Sequence, residues 1–178
     1  MKNLIKKNPL LLKVVAAIGV FISRLSFLPA NFSPLGSFGF FGNNTWLYFS
    51  TIIGFDYLVG GFYKGFYFTY LGFAMYPLLG KLAANKWKNQ AILLPLASFL
   101  FFFFSNLSSF WLWYPHTLQG LISCYLLALP FYQKTLLGDL VFGYGYIAVK
   151  LFHKNYSHQK HSSLPINNNS HSINPTAD

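Results

Sequence analysis

Charged side chains are scarce in this sequence, and acidic ones most of all. Only 9% of the 178 residues are charged, with no glutamate and three aspartates, Asp56, Asp139 and Asp178. A soluble domain carries about 25% charged residues, so this chain lacks the charges that a water-facing surface needs. The scarcity argues against a soluble globular enzyme, while the 54% hydrophobic content excludes a disordered chain. The composition predicts an all-α, polytopic membrane protein.

Cysteine and catalytic motifs are also nearly missing. The single cysteine, Cys124, excludes an intramolecular disulfide and a multi-cysteine metal site. Its apolar neighbours favour a small packing residue over a nucleophile paired with His116. There is no glycine-rich phosphate loop, no HExxH sequence and no series of intramembrane acids typical of a proton-driven pump. We therefore expect no enzymatic activity, no cofactor and no metal, and any transport would draw its energy from another subunit.

The basic residues flank the apolar runs instead of forming a patch. The formal net charge is +10, yet the lysines cluster before the first run, in one loop and after the last run. This pattern is typical of cytoplasmic loops and not of a nucleic-acid surface. The basic N-terminus and the run behind it predict a retained helix, because Leu-Pro-Ala-Asn after Phe27 is a poor signal-peptidase site. The clusters are Lys2, Lys6, Lys7 and Lys13; Lys81, Lys86 and Lys88; and Lys150, Lys154 and Lys160.

Charges and turn residues divide the chain into apolar segments. A helix that spans the hydrocarbon takes about 20 residues, and six crossings with both termini inside fit this sequence in two ways. In the first, 35–41 spans and 118–132 is a partial helix on the outer side; in the second, 35–41 is re-entrant and 118–132 spans. The first arrangement leaves ten lysines inside and three basic residues outside. The second leaves eight basic residues inside and five outside, so the positive-inside rule favours the first. The segments are 9–28, 35–41, 46–61, 66–82, 91–113, 118–132 and 136–152.

The composition changes abruptly after residue 152. Residues 153–178 are rich in Asn, Ser and His and have no apolar periodicity. They are expected to form a disordered, polar cytoplasmic tail behind a transmembrane helical domain of residues 1–152.

The remaining charges gather toward the outer side in the first arrangement. Arg24 and Asp56 lie near the outer ends of their segments, and Asp139 lies at the outer start of the last one. Intramembrane charges are costly and commonly functional, so we predict an aromatic-lined site that takes a small polar ligand from outside. The plainer alternative is that Arg24 pairs with Asp139 or Asp56 and only fixes the helices. The candidate ligand-binding residues are Arg24, Asn31, Asp56, Trp113, His116 and Asp139.

Several short stretches of the sequence form distinctive motifs. They are Ser23-Arg24-Leu25, Leu28 to Gly36, Phe41-Gly42, Tyr114-Pro115-His116-Thr117, Gly120-Leu121, Cys124-Tyr125, Ala128 to Phe131 and Thr135 to Leu140. These stretches resemble a functionally uncharacterised family of small bacterial multi-pass inner-membrane proteins, and the likeness covers about residues 15–150. The sequence departs from the family after the third segment, where Phe55-Asp56 and Gly61-Phe62-Tyr63 replace the usual Ser-Asp and Gly-Phe-His, so a histidine role there is lost.

The six-helix layout is similar to that of the substrate-binding S components of energy-coupling-factor vitamin transporters. That resemblance implies an integral protein of the bacterial inner membrane that captures a small molecule such as a vitamin. It also implies a separate transmembrane partner with ATPases, for which Gly19 and Ser23 are the candidate docking residues. Fold-level analogy gives no activity by itself. The rival hypothesis is a non-transporting scaffold of the cell envelope, in which the same polar groups only hold helices together.

Overall fold

A computed structural model of the chain describes residues 9–162, and within that range it contains helices and no strand. The predicted all-α class is therefore confirmed. π-helical turns continue α1 over Ser23–Phe27 and α3 over Asp56–Gly60. The α-helices are α1 (Pro9–Ile22), α2 (Leu35–Phe41), α3 (Thr45–Phe55), α4 (Phe66–Leu82), α5 (Trp87–Trp113) and α6 (Leu118–Ser162).

The second segment of the chain is only partly helical. The seven residues of α2 rise about 10 Å, which is short of the ~30 Å of a bilayer's hydrocarbon. Residues 28–34 before it form no regular helix, because Pro29 and Pro34 have no N–H to donate. A turn closes where Phe32 N donates a 2.9 Å hydrogen bond to Pro29 O, with Asn31 at φ 68°. After α1, the chain therefore runs through an irregular stretch and then forms the short, largely buried helix α2.

Glycines let α4 approach its neighbours closely. The helix packs along α5 and against α2. A Cβ atom on Gly72 would lie 3.0 Å from the carbonyl oxygen of Phe101, and one on Gly80 would overlap the carbonyl oxygen of Phe40. Small residues have this role where membrane helices pack backbone to backbone. Tyr76 lies one helical turn from both glycines and is buried in this interface, at 1% exposure.

Residues 118–132 and 136–152 form one continuous helix, α6, where the sequence pattern indicated two segments. Gln133 and Lys134 interrupt the apolar run but have good helix propensity, and Pro130 is accommodated inside the helix. A continuous helix has no turn at which the chain reverses, so the arrangement in which 118–132 crosses separately is wrong. Asp139 is consequently about 30 Å along α6 from its first residue, and its predicted place at the outer start of the last helix is wrong too.

The chain divides into two compact units, Met1–Ile147 and Ala148–Asp178. The first contains α1 to α5, most of α6 and every residue discussed below. The described part of the second is the end of α6, which runs to Ser162 and so includes the first residues of the predicted polar tail. The rest of that tail, and with it the expected disorder, lies outside the described residues.

Candidate ligand-binding cavity

One cavity of the first unit contains three of the predicted site residues, Arg24, Asn31 and Asp139. It encloses about 210 Å³ between the end of α1, the irregular stretch 28–34, α2 and the faces of α3 to α6. Its wall combines polar groups with aromatic rings, as in pockets for small polar ligands. The remaining lining residues are Ser23, Leu28, Pro29, Ala30, Phe32, Ser33, Leu35, Gly36, Phe55, Phe73, Tyr76, Phe101 and Thr135.

Asp139 lies deep in the bundle, with 1% of its surface exposed. The phenol of Tyr76 donates a hydrogen bond to Asp139 Oδ2 at 2.5 Å, and the hydroxyl of Ser37 donates to the Asp139 carbonyl oxygen at 3.0 Å. The buried hydroxyl of Ser98 lies near the same two side chains but forms no hydrogen bond among the described residues. A buried carboxyl group needs such partners, because leaving it unsatisfied costs more than the bond contributes.

Gly36 makes room for this carboxyl group. A Cβ atom on Gly36 would overlap Asp139 Oδ1 and lie 2.6 Å from the ring of Tyr76. Any larger residue would therefore displace the Asp139–Tyr76 pair or the α2 backbone. Gly36 is therefore a requirement of the polar site.

Arg24 lies in the π-helical turn that ends α1. Its guanidinium carbon is 3.8 Å from the centroid of the Phe55 ring, a cation–π arrangement that neutralises no charge. Nη1 is buried and has no hydrogen-bond partner. Asp56 is the acid close enough to attract Arg24, but no ion pair joins Arg24 to an acid among residues 9–162. The predicted pairing of Arg24 with Asp56 or Asp139 is therefore not formed.

Asn31 occupies the turn of the stretch 28–34. Its φ of 68° lies in the left-handed region, which Asn tolerates better than most residues. With Thr135 and Phe101 it also lines a second cavity of about 280 Å³. Asn31 therefore belongs to the walls of two cavities.

Asp56 is not part of the cavity lining, although its neighbour Phe55 is. Its Oδ2 accepts a 2.8 Å hydrogen bond from the phenol of Tyr70 in α4. The contact joins the π-helical turn after α3 to α4, so Asp56 connects two helices through Tyr70 and not through the Arg24 pairing of the plainer alternative.

Trp113 and His116 lie away from the cavity, at the connection between α5 and α6. Trp113 is 78% exposed. His116 is exposed as well, with Nε2 3.1 Å from the Trp111 carbonyl oxygen and its ring stacked on that of Trp111 at 4.8 Å. The sequence grouped them with Asp139 by assuming that a new helix begins near Leu136. Because α6 begins at Leu118, its length separates this connection from Asp139.

The two candidate docking residues do not form one exposed strip. Gly19 is exposed, and a Cβ atom there would meet nothing within 4 Å. Ser23 lines the cavity, and its hydroxyl donates a 2.7 Å hydrogen bond to the Val20 carbonyl oxygen.

Sequence reasoning predicted an aromatic lining but not the rings that form it, and it missed Tyr76 and Thr135. Phe73 and Phe101 are stacked at 4.7 Å and both line the cavity. A usable signal existed for Tyr76, since Gly72-x-x-x-Tyr76-x-x-x-Gly80 puts the tyrosine on the most closely packed face of α4. No comparable pattern marks Phe101, which is one of four consecutive phenylalanines.

No three His, Cys, Asp or Glu side chains come together in the part of the chain that the structure describes. Cys124 is buried, with its sulfur 3.6 Å from the Asn106 carbonyl oxygen. These surroundings agree with the expectation that Cys124 is a small packing residue.

Comparison with curated proteins and with solved structures finds no match. A family model does match, over residues 3–161, and its description is a family of unknown function, DUF6580. The match includes the cavity and all six α-helices but for the last residue of α6. It agrees with the uncharacterised family that the sequence motifs indicated, and the chain belongs to the family of unknown function DUF6580.

Proposed function

We propose that this protein is a multi-pass membrane protein that captures a small polar molecule in the cavity between Arg24 and Asp139. The observation that carries the proposal is the irregular stretch 28–34, which lies between α1 and α2 and lines this cavity with residues 28–33. Non-helical backbone is tolerated at membrane depth only where protein buries it or where it lines a polar cavity. Secondary transporters bind their substrates at such broken helices.

The apolar surface supports a membrane location. Two helices, Trp87–Trp113 and the part of α6 over Leu118–Tyr156, are long and apolar enough to cross a bilayer. Only 28% and 22% of their most apolar windows are buried, so these helices are not shielded like the core helix of a soluble protein. Exposed apolar faces of this extent are stable in lipid and not in water.

The protein crosses the membrane six times if the shorter helices span it together with the π-helical or irregular residues next to them. The crossings would be α1 with its π-helical turn, residues 28–41, α3 with its turn, α4, α5 and α6. In this arrangement the irregular stretch and α2 together make up the second crossing, whereas the first sequence-based arrangement had residues 35–41 span by themselves.

The positions of the lysines support a cavity that opens outward. Asn43 lines one cavity with Lys13 and another with Lys81, so both lysines belong to the end of the bundle where α1 begins and α4 ends. Arg24 and the binding cavity are nearer the opposite end. By the positive-inside rule the lysine end faces the cytoplasm, and the ligand enters from outside.

An S component captures its substrate but has no energy source of its own. The chain has no nucleotide-binding motif, so uptake would depend on a separate energising subunit with ATPases. This part of the proposal rests on analogy of layout. A scaffold protein of the envelope would need no cavity, and the experiment below separates the two.

Native mass spectrometry of the protein gently extracted from its membrane tests the proposal. We expect a small molecule to remain bound to the wild-type protein and to a Gly19→Leu variant, because the added side chain meets open space. Gly36→Leu, whose side chain would project onto Asp139 and Tyr76, should lose it. A wild-type protein that retains no small molecule, or equal retention in Gly36→Leu, would contradict capture in this cavity and favour the scaffold.

A further inference from the structure

Arg24 lines the cavity and forms no ion pair with an acid among the residues that the structure describes. An arginine stays protonated in proteins, and a buried charge is stable only when it is paired and hydrogen-bonded. Arg24 Nη1 is buried with no hydrogen-bond partner, and the Phe55 ring covers the flat face of the guanidinium. Stacking uses the face and leaves the N–H groups at the edge free to bind.

The protein's own acids do not fill this place. Asp56 accepts its hydrogen bond from Tyr70, and Asp139 accepts its bond from Tyr76. Neither forms an ion pair with Arg24 among the described residues. The third acid of the sequence, Asp178, lies outside them.

We propose that the captured molecule is a small organic anion whose carboxylate or phosphate group pairs with Arg24. The inference rests on the proposed function, because it assigns a ligand class to the same cavity. An oxyanion presents two oxygens to the guanidinium edge, which is the geometry that distinguishes Arg from Lys as an anion binder.

The rest of the wall restricts the ligand further. The stacked rings of Phe73 and Phe101 offer an apolar surface suited to a flat ring. At about 210 Å³ the cavity is smaller than the pockets of drug-sized ligands. Away from Arg24, the Thr135 hydroxyl lines the cavity and can accept a hydrogen bond from the ligand. A planar ring with one acidic group and one donor fits these features.

Matched pairs of probes that differ only in charge test the inference. The full-length protein in lipid nanodiscs is titrated with nicotinate and nicotinamide, and with benzoate and benzamide, with thermal stability and native mass spectra as readouts. The carboxylate of each pair should bind at least about tenfold more tightly than its amide, as expected for a charge-assisted hydrogen bond. Arg24→Gln should abolish this preference and Arg24→Lys should weaken it. Lys64→Gln, which removes a positive charge from an exposed loop, should leave it unchanged.

Equal binding of both members of each pair, or of neither, would overturn the anion inference. So would a carboxylate preference that survives in Arg24→Gln, or a neutral or cationic molecule identified in the wild-type mass spectrum. These results are separate from the Gly36→Leu comparison. A neutral molecule that is lost only in Gly36→Leu removes the anion and keeps the capture function, whereas absence of any retained molecule removes both.

Discussion

Burial separates the charged side chains at the scale of single residues. Asp139 is fully enclosed and hydrogen-bonded by Tyr76, and Arg24 is partly enclosed without a partner at Nη1. Lys64 and Lys134 are exposed. The sequence could indicate Arg24 and Asp139 because charges are so rare in this chain. It could not indicate which of the two is hydrogen-bonded and which is not, because that depends on where Tyr76 and Phe55 lie in the fold.

The Asp139–Tyr76 hydrogen bond gives a prediction for stability. Asp139→Ala leaves the buried phenol of Tyr76 without its acceptor and should lower the free energy of unfolding by about 1–3 kcal/mol. Asp139→Asn keeps a side-chain oxygen that can accept the bond, so it should cost clearly less. Denaturant unfolding of the detergent-solubilised variants measures both. An alanine variant as stable as the asparagine variant would show that the bond does not contribute to stability.

At the scale of elements, the sequence predicted the bounds of some helices but not the continuity of α6. The bounds of α2 and α4 coincide with the apolar segments that predicted them, because glycine, proline and lysine mark both ends. The prediction failed at Gln133 and Lys134, where a change in polarity was taken for a helix end. Polarity and helix propensity are independent, and both residues are good helix formers. Their side chains are exposed, so nothing in the fold forces a break.

A distance measurement checks this continuity. Spin labels at Ile122 and Val141, which are both exposed, lie on one helix and should have Cα atoms about 28 Å apart. Cys124 is replaced by serine to leave two labelling sites. Pulsed electron paramagnetic resonance in nanodiscs gives the distance distribution. A hairpin near residue 134 would bring the two sites much closer together, and a short distance would contradict the continuous α6.

At the scale of the whole molecule, the arrangement of lysines links the fold to the membrane. The sequence predicted an all-helical chain of this family, and the structure and the family match agree with it. The number of crossings and their direction remain predictions. Both depend on the lipid bilayer. The sequence reflects the bilayer only through the positions of its lysines and the lengths of its apolar segments.

Accessibility labelling measures the orientation. In a Cys124→Ser background, a cysteine replacing Lys64 should react with a membrane-impermeant maleimide added to intact cells whose outer barrier has been opened. A cysteine replacing Lys88 should react only after the inner membrane is lysed. Both positions are exposed in the structure, so their difference reports the side of the membrane. The reverse labelling pattern would place the cavity's opening on the cytoplasmic side.

The irregular stretch 28–34 also affects how this family can diversify. Its residue Asn31, together with Thr135 and Phe101, belongs to the linings of both cavities. Phe32 and Ser33 lie close to Gly138 of α6, whereas Asn31 is exposed and belongs to no helical hydrogen-bond ladder. A different side chain at position 31 would therefore change the space in both cavities without disturbing a helix. Ligand size could thus evolve in a segment of a few residues while the helices that cross the membrane stay the same.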